Sequence, residues 1–143
     1  MILTVIFLFF PSLFLSRFKM ANEIRIAATE DTPEVLLDDK AGAFKISGRS
    51  LPEDAFWFYN PIVEWLVGYS KTPIANTEFH FNLEYFNTAS AKQIFKIANI
   101  LSEISRSNPV KIKWHYDEGD KDMLASGERF SKLCGIPFEL VKN

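Results

Sequence analysis

The clearest alternation of apolar and polar side chains runs from residue 77 to residue 86. A two-residue period of this length predicts a half-buried β-strand. The side chains expected on its buried face are Phe79, Phe81, Leu83 and Tyr85. Residues 87–90 read Asn-Thr-Ala-Ser, and a helical spacing of apolar residues begins directly after them. The pattern therefore predicts a hydroxyl-bearing tip where a strand passes into the N-terminus of a helix.

Similar periodic stretches predict the other elements of secondary structure. Strands are expected at residues 33–38 and 43–48, which a hairpin turn joins, and at 110–116 and 137–141, with an edge strand at 24–27. Two helices are expected at residues 89–106 and 121–133, and the second should bury Met123, Gly127, Phe130 and Cys134.

A further helix is predicted between the strand at 43–48 and the strand at 77–86. Ser50 and Glu53 have the spacing of a capping box, and Pro52 suits a first helical turn. The apolar stripe expected to face the core is Ala55, Phe58, Tyr59, Ile62, Leu66 and Tyr69. Because Pro61 lies inside this stripe, it should kink the helix near Asn60 or split it in two.

The order of elements predicts an α/β fold whose later strands run parallel through right-handed crossovers. Every main strand has one polar face, whereas the central strands of a doubly wound sheet are apolar on both faces. A two-layer sandwich is therefore expected, with a mixed, mostly parallel sheet and helices on one face. The acidic residues of 78–84 and the basic ones of 111–115 should pair if these strands are neighbours, at ~0.2–1 kcal/mol each.

Residues 1–19 differ in character from the rest of the chain, because residues 1–16 are uncharged and strongly apolar. The run is short for a spanning helix and is interrupted by Pro11. A secretory signal would have a basic start and a small-residue cleavage site. We favour translation from Met20, with a regulatory domain at 20–143, over a membrane anchor or a signal. A membrane-tethered protein is the alternative.

Composition argues against several classes of function. The net charge is −2, which does not favour nucleic-acid binding, and the single cysteine, Cys134, excludes an intrachain disulfide. The sequence has no phosphate-binding glycine loop, nucleophile elbow or zinc motif. The acidic run at 117–122 resembles a calcium loop in composition only, and Asp120 is better explained as a helix N-cap. An enzyme is therefore not expected, and a reducing, cytoplasmic setting fits.

Two histidines leave an alternative function open. His80 and His115 could share the open face of the sheet with Glu78, Glu84 and Asp117. Such a cluster could bind a metal or act in acid–base chemistry, as a small enzyme or ligand-binding domain would. An ordinary solvated face is the favoured interpretation.

The tip at residues 87–90 has two interpretations as well. Asn, Thr and Ser at a helix start commonly satisfy unpaired backbone N–H groups and do nothing else. A phosphate on an exposed Thr or Ser would also be tolerated there, because it meets free N–H groups and the positive end of the helix dipole. Its charge of about −1.5 to −2 could disrupt a protein contact.

A set of short motifs favours the second interpretation. They are Thr32-Pro33-Glu34, Gly48-Arg49-Ser50 with Pro52-Glu53, Phe58-Tyr59 with Pro61 and Glu64-Trp65-Leu66, Tyr85-Phe86-Asn87-Thr88, Trp114-His115-Tyr116-Asp117 and Pro137-Phe138-Glu139. Together, and in this order over residues 32–141, they resemble the SiaC family of bacterial regulatory phosphoproteins. The resemblance implies a fold similar to STAS domains, the anti-sigma-factor-antagonist type.

The resemblance also implies a non-enzymatic switch without a cofactor or metal. In the family, a dedicated kinase of the histidine-kinase ATPase type phosphorylates a threonine, and a PP2C-like phosphatase removes the phosphate. The unphosphorylated form activates an output protein such as a diguanylate cyclase. Asn87 and Ser90 match the family's Asn-Thr-Ser-Ser motif, Thr88 is the implied phosphoacceptor, and Ala89 replaces a serine. The residues expected to neighbour the phosphosite or face a partner are Asn87, Ala89, Ser90 and Arg49. From its predicted position, Arg49 is expected near the tip, where it would neutralise the phosphate.

Overall fold

The computed structural model describes residues 23–143, so the expectations for residues 1–19 lie outside the described part of the chain. Within residues 23–143, no helix is both long and apolar enough to cross a membrane. The strands are β1 (Glu23–Ile26), β2 (Glu34–Asp38), β3 (Ala43–Ser50), β4 (Thr77–Phe86), β5 (Val110–Tyr116) and β6 (Phe138–Lys142). The helices are α1 (Ala55–Tyr69), α2 (Thr88–Ile104) and α3 (Lys121–Cys134).

The six strands form one sheet in which their spatial order is their order in the chain. β1, β2 and β3 pair in antiparallel fashion, and β3, β4, β5 and β6 pair in parallel. One face of the sheet joins the helices in a single apolar core, and the other carries the polar side chains. The expected two-layer sandwich, with a mixed and mostly parallel sheet, is confirmed.

The charges on the open face pair as expected. Lys113 Nζ on β5 lies 3.1 Å from Glu78 Oε1 on the neighbouring strand β4. The ammonium group lowers the pKa of Glu78, chiefly through its hydrogen bond, and the carboxylate raises the pKa of Lys113. Both side chains are partly exposed, so the pair contributes little to stability and fixes mainly the register of the two strands.

The start of α1 differs from the prediction. Asp54, not Ser50, is the N-cap, and its side chain accepts a hydrogen bond of 2.9 Å from the Trp57 N–H. Ser50 instead ends β3 and is fully buried. The capping box assigned to Ser50 and Glu53 was therefore wrong, because Asp54 offers an equally good oxygen directly before Ala55, where the apolar stripe begins.

Pro61 lies within α1, which continues from Ala55 to Tyr69 without a break. A split of the helix, one of the two effects predicted for Pro61, was therefore wrong, and a kink near Asn60 stays a prediction. Proline removes one backbone hydrogen bond, but the burial of Tyr59, Ile62 and Leu66 on either side keeps both halves against the sheet.

The alternation of β4 reverses near its end, which the sequence did not reveal. Gly48 of β3 pairs with Leu83, whereas the next residue, Arg49, pairs with Tyr85, so one residue of β4 is inserted between them. A β-bulge of this kind moves the following side chains to the opposite faces. Tyr85 is consequently 47% exposed, and its predicted place in the core was wrong.

Phe86 occupies the core position that Tyr85 was expected to fill. Its ring centroid lies 6.1 Å from that of Trp114 and 6.0 Å from that of Phe130. The bulge therefore places an aromatic anchor directly before the tip, and the tip begins from a fixed point on the core.

The remaining helix predictions are largely correct. The four residues expected to be buried on α3 are all buried: Met123, Gly127, Phe130 and Cys134. Gly135 ends the helix with φ of 70°. On α2, the buried side chains are Ile94, Ile97, Ala98, Leu101 and Ile104, whereas Ala91 and Phe95 are only partly buried.

Trp114 at the centre of β5 is fully buried and donates its indole N–H to the Met123 carbonyl at 2.9 Å. Helix α3 can approach it this closely because residue 127 is a glycine. A Cβ added to Gly127 would lie 2.4 Å from Trp114 Cδ1, well inside contact distance.

We predict that Gly127→Ala destabilises the protein by about 1–3 kcal/mol, because the indole ring or the helix must move. The matched control is Gly68→Ala, where an added Cβ meets nothing within 4 Å in the exposed part of α1. The control should stabilise by up to about 1 kcal/mol through helix propensity alone. Urea unfolding of both variants measures the difference, and equal effects would contradict the assigned packing.

Candidate functional site

The tip between β4 and α2 is a capped helix start. Asn87 is the N-cap, and its Oδ1 accepts a hydrogen bond of 2.8 Å from the Ser90 N–H. The Asn87 N–H in turn donates to the Ser50 carbonyl at 3.1 Å, so the end of β3 holds the end of β4. This confirms the capping function that the sequence suggested for Asn87.

The two hydroxyl groups of the tip have opposite surroundings. Thr88, the first residue of α2, is exposed, as is Ala89, whereas Ser90 is fully buried. Among residues 23–143, no hydrogen bond involves the Thr88 hydroxyl. Only Thr88 therefore offers a hydroxyl to another protein in this conformation, and Ser90, which was expected to face a partner, lies beneath the tip.

Ser90 belongs to a buried cluster of three hydroxyl groups, which we call the hydroxyl cluster: Ser50, Tyr59 and Ser90. Ser90 Oγ donates to the Ser50 carbonyl at 3.1 Å, and Ser50 Oγ donates to Ser90 Oγ at 2.8 Å. Ser50 Oγ then has no proton left for Tyr59, so the phenol O–H is the donor in their 2.6 Å contact. Burial raises the pKa of Tyr59 to about 12, which keeps that proton in place.

The hydroxyl cluster joins three elements directly beneath Thr88. Ser50 ends β3, Tyr59 lies in α1, and Ser90 lies in the first turn of α2. Each hydroxyl is buried and would be costly to leave without a partner. The first turn of α2 is therefore fixed to α1 and to the sheet.

Arg49 lies on the open face of the sheet at the same end. Its guanidinium carbon is 5.8 Å from the centre of the Tyr85 ring, a cation–π distance. Arg49 and Tyr85 are paired in the register of β3 and β4, and Tyr85 precedes Thr88 by three residues in the chain. A contact between Arg49 and a phosphate on Thr88 stays a prediction.

Three surface residues near the tip were missed by the sequence reasoning. Lys92 is exposed and follows Thr88 by four residues on α2, the spacing at which helical side chains are neighbours. Phe56 and Trp57, in the first turn of α1, are 59% and 76% exposed. The i, i+4 spacing could have revealed Lys92. Phe56 and Trp57 lie outside the predicted stripe but did not stand out, because α1 carries apolar residues around most of its circumference.

The alternative site on the open face contains the expected histidines but no metal-binding group. His80 Nδ1 lies 2.9 Å from His115 Nε2, so the two rings contact each other directly. Within residues 23–143, no set of three or more His, Cys, Asp or Glu side chains has the geometry to hold a metal ion. Two surface cavities, of about 330 and 400 Å³, border α3 and β6 rather than these rings.

A two-layer sandwich with one open sheet face, without a metal-binding cluster among residues 23–143, fits a small regulatory domain. Comparison with known sequences identifies the family. Residues 26–143 match the model of the SiaC family regulatory phosphoproteins. The chain belongs to this family, as its motifs had indicated.

Known relatives agree with this assignment. An uncharacterized protein of Pseudomonas aeruginosa (strain UCBPP-PA14) is 28% identical over 120 residues, which are 83% of this chain and 95% of that protein. The crystal structure of apo-SiaC from Pseudomonas aeruginosa, 28% identical, has a TM-score of 0.75 over 83% of this chain and 98% of its own. SiaC bound as activator to the diguanylate cyclase SiaD, 27% identical, has a TM-score of 0.78 over 84% of this chain and 99% of its own.

We predict that Asn87→Ala destabilises the protein by about 1 kcal/mol, because the Ser90 N–H loses its acceptor. Thr88→Ala is the matched control at the adjacent position and should change stability by less than about 0.5 kcal/mol. Thermal unfolding followed by circular dichroism measures both. A larger loss in Thr88→Ala than in Asn87→Ala would show that the capping roles are reversed.

Proposed function

We propose that the protein is a non-enzymatic signalling switch whose state is set by phosphorylation of Thr88. A partner kinase adds the phosphate and a PP2C-like phosphatase removes it, as the family resemblance implies. The unphosphorylated form binds and activates an output protein in the cytoplasm. A diguanylate cyclase is the proposed output, because a SiaC protein of 27% identity activates such an enzyme.

One observation carries the choice of Thr88. The tip offers a single exposed hydroxyl, since Asn87 and Ala89 have none and the hydroxyl of Ser90 is buried. A kinase must bring its acceptor to ATP, and Ser90 could reach it only if the hydroxyl cluster broke. Thr88 can be presented without disturbing the fold.

The surroundings of Thr88 support a reversible modification. A phosphate at the first position of α2 lies at the positive end of the helix dipole, near backbone N–H groups that the helix leaves unpaired. Lys92, one turn further, is in the position to pair with it. The phosphate therefore leaves the fold intact and changes chiefly the charge of the surface.

The surface around Thr88 also supports protein binding. Exposed Phe56 and Trp57 begin α1, which follows β3, while Thr88 begins α2, which follows β4. Because β3 and β4 are parallel neighbours, both helices start at the same edge of the sheet. Large aromatic residues are common in the energetic centre of interfaces, where an added double negative charge would oppose binding.

We expect incubation with the partner kinase and ATP to place one phosphate on Thr88. Thr88→Ser keeps a hydroxyl at the same place and should still be labelled, whereas Thr88→Ala should not. Phosphopeptide mapping by mass spectrometry locates the label. Undiminished labelling of Thr88→Ala would exclude Thr88 as the acceptor.

We expect Thr88→Asp to weaken binding of the output protein at least about tenfold, or about 1.4 kcal/mol, because it places a negative charge in the interface. Thr88→Ala should bind as the unmodified protein does. Thr72→Asp makes the same change at an exposed threonine beyond the far end of α1 and should have no effect. Calorimetric titration gives the affinities, and equal values for Thr88→Asp and Thr88→Ala would argue against the switch.

A further inference from the structure

The two histidines on the open face belong to a continuous chain of hydrogen bonds that runs from β4 through β5 to Asn143, the residue after β6. At one end, His80 Nε2 lies 3.1 Å from Glu78 Oε1. The rings meet through His80 Nδ1 and His115 Nε2 at 2.9 Å. At the other end, His115 Nδ1 lies 3.2 Å from Asn143 Oδ1.

The orientation of the Asn143 amide is fixed by a carboxylate. Asn143 Nδ2 donates to Asp117 Oδ1 at 3.0 Å and to Asn82 Oδ1 at 3.0 Å. Turning the amide over would set its oxygen against the Asp117 carboxylate, which can only accept. Asn143 must therefore present its oxygen to His115, and His115 Nδ1 must carry the proton.

Counting ring protons then gives the charge of the pair. The contacts with Glu78 and Asn143 each need a proton on the histidine nitrogen, and the contact between the rings needs one more. Three protons are required on four ring nitrogens, whereas two neutral imidazoles supply two. A fourth proton would leave both nitrogens between the rings as donors and break the contact that joins them.

We infer that His80 and His115 act as one proton-binding unit that holds a single shared positive charge and fastens Asn143 to the sheet through it. The extra proton belongs on His80, between the Glu78 carboxylate and the neighbouring ring, and His115 stays neutral with its proton on Nδ1. This inference does not depend on the proposed function, which concerns the tip.

Most of the other charged side chains around the pair of histidines form ion pairs with one another. Lys113 lies beside His80 in the register of β4 and β5, and its positive charge disfavours the shared proton. Lys113 and His80 both contact Glu78 Oε1, whose negative charge favours that proton. Lys45 of β3 pairs with Glu34 of β2, and Glu139 of β6 faces Lys111 at 3.9 Å. Lys142 pairs with Glu118, which leaves Asp117 and Glu78 as the carboxylates that end the chain of hydrogen bonds. Burial, and then the charges of His80 and Lys113, lower the pKa of His115, in agreement with its neutral state.

The effect on stability follows from the lowered pKa of His115. The folded pair takes up a second proton less tightly than the unfolded chain does, so the stability gained by keeping His115 neutral is present above about pH 6.5 and is lost as the pH falls.

Nuclear magnetic resonance tests this directly, because the chain has two histidines and their ring signals cannot be confused with others. Long-range proton–nitrogen spectra of the full chain between pH 4.5 and 9 report which ring nitrogens are protonated. At pH 7 we expect both nitrogens of His80 protonated, and Nδ1 alone protonated in His115.

Two variants at the ends of the chain of hydrogen bonds test the origin of the charge. Glu78→Gln removes one acceptor, and Asp117→Asn lets the Asn143 amide turn over, so each should move the release of the shared proton to lower pH by about one unit. Glu23→Gln removes a carboxylate of β1, three strands from β4, that pairs with Arg25 and touches neither ring, so it should leave the titration unchanged. Two independent titrations near pH 6.5 in the full chain, or midpoints unchanged in both end variants, would overturn the inference.

Discussion

The structure depends on how three buried hydroxyl groups satisfy one another. Ser50, Tyr59 and Ser90 each have one proton to donate, and the arrangement uses all three within the cluster and on one carbonyl. Because these groups come from the end of β3, the middle of α1 and the start of α2, their positions cannot be set independently. The same contacts that complete the core therefore fix the position of the first turn of α2, and with it the one hydroxyl of residues 87–90 that faces solvent.

The layers of the fold could be predicted from the sequence because burial of one face of the sheet requires apolar and polar residues to alternate along each strand. The polar residues of β4 and β5 indicated an open face, and Glu78 and Lys113 meet there as expected. The bulge at the end of β4 could not be predicted, since an inserted residue changes the pairing without changing the alternation that precedes it. The prediction that Ser50 caps α1 was wrong for a related reason, because a serine before a helix has the same sequence signature whether it caps the helix or is buried.

The candidate site was predictable in part. A strand-to-helix junction with Asn, Thr and Ser was visible, but the residue types alone gave three side chains able to cap. Burial separates them, because it removes Ser90 from the surface and leaves Thr88 exposed. The contribution of Phe56 and Trp57 needed the structure, since exposed aromatic residues on a helix of mostly apolar composition do not stand out in sequence.

The sequential order of the strands has a consequence for the kinds of ligand that this fold can receive. In doubly wound sheets, small molecules bind where the strand order reverses and two adjacent loops diverge to leave a crevice. From β1 to β6 the order never reverses, so successive crossovers lead the chain in one direction and no such crevice opens at the ends of the strands. The loops and helix starts at that edge form a continuous rim instead, and a rim without a cleft suits the broad contact of another protein.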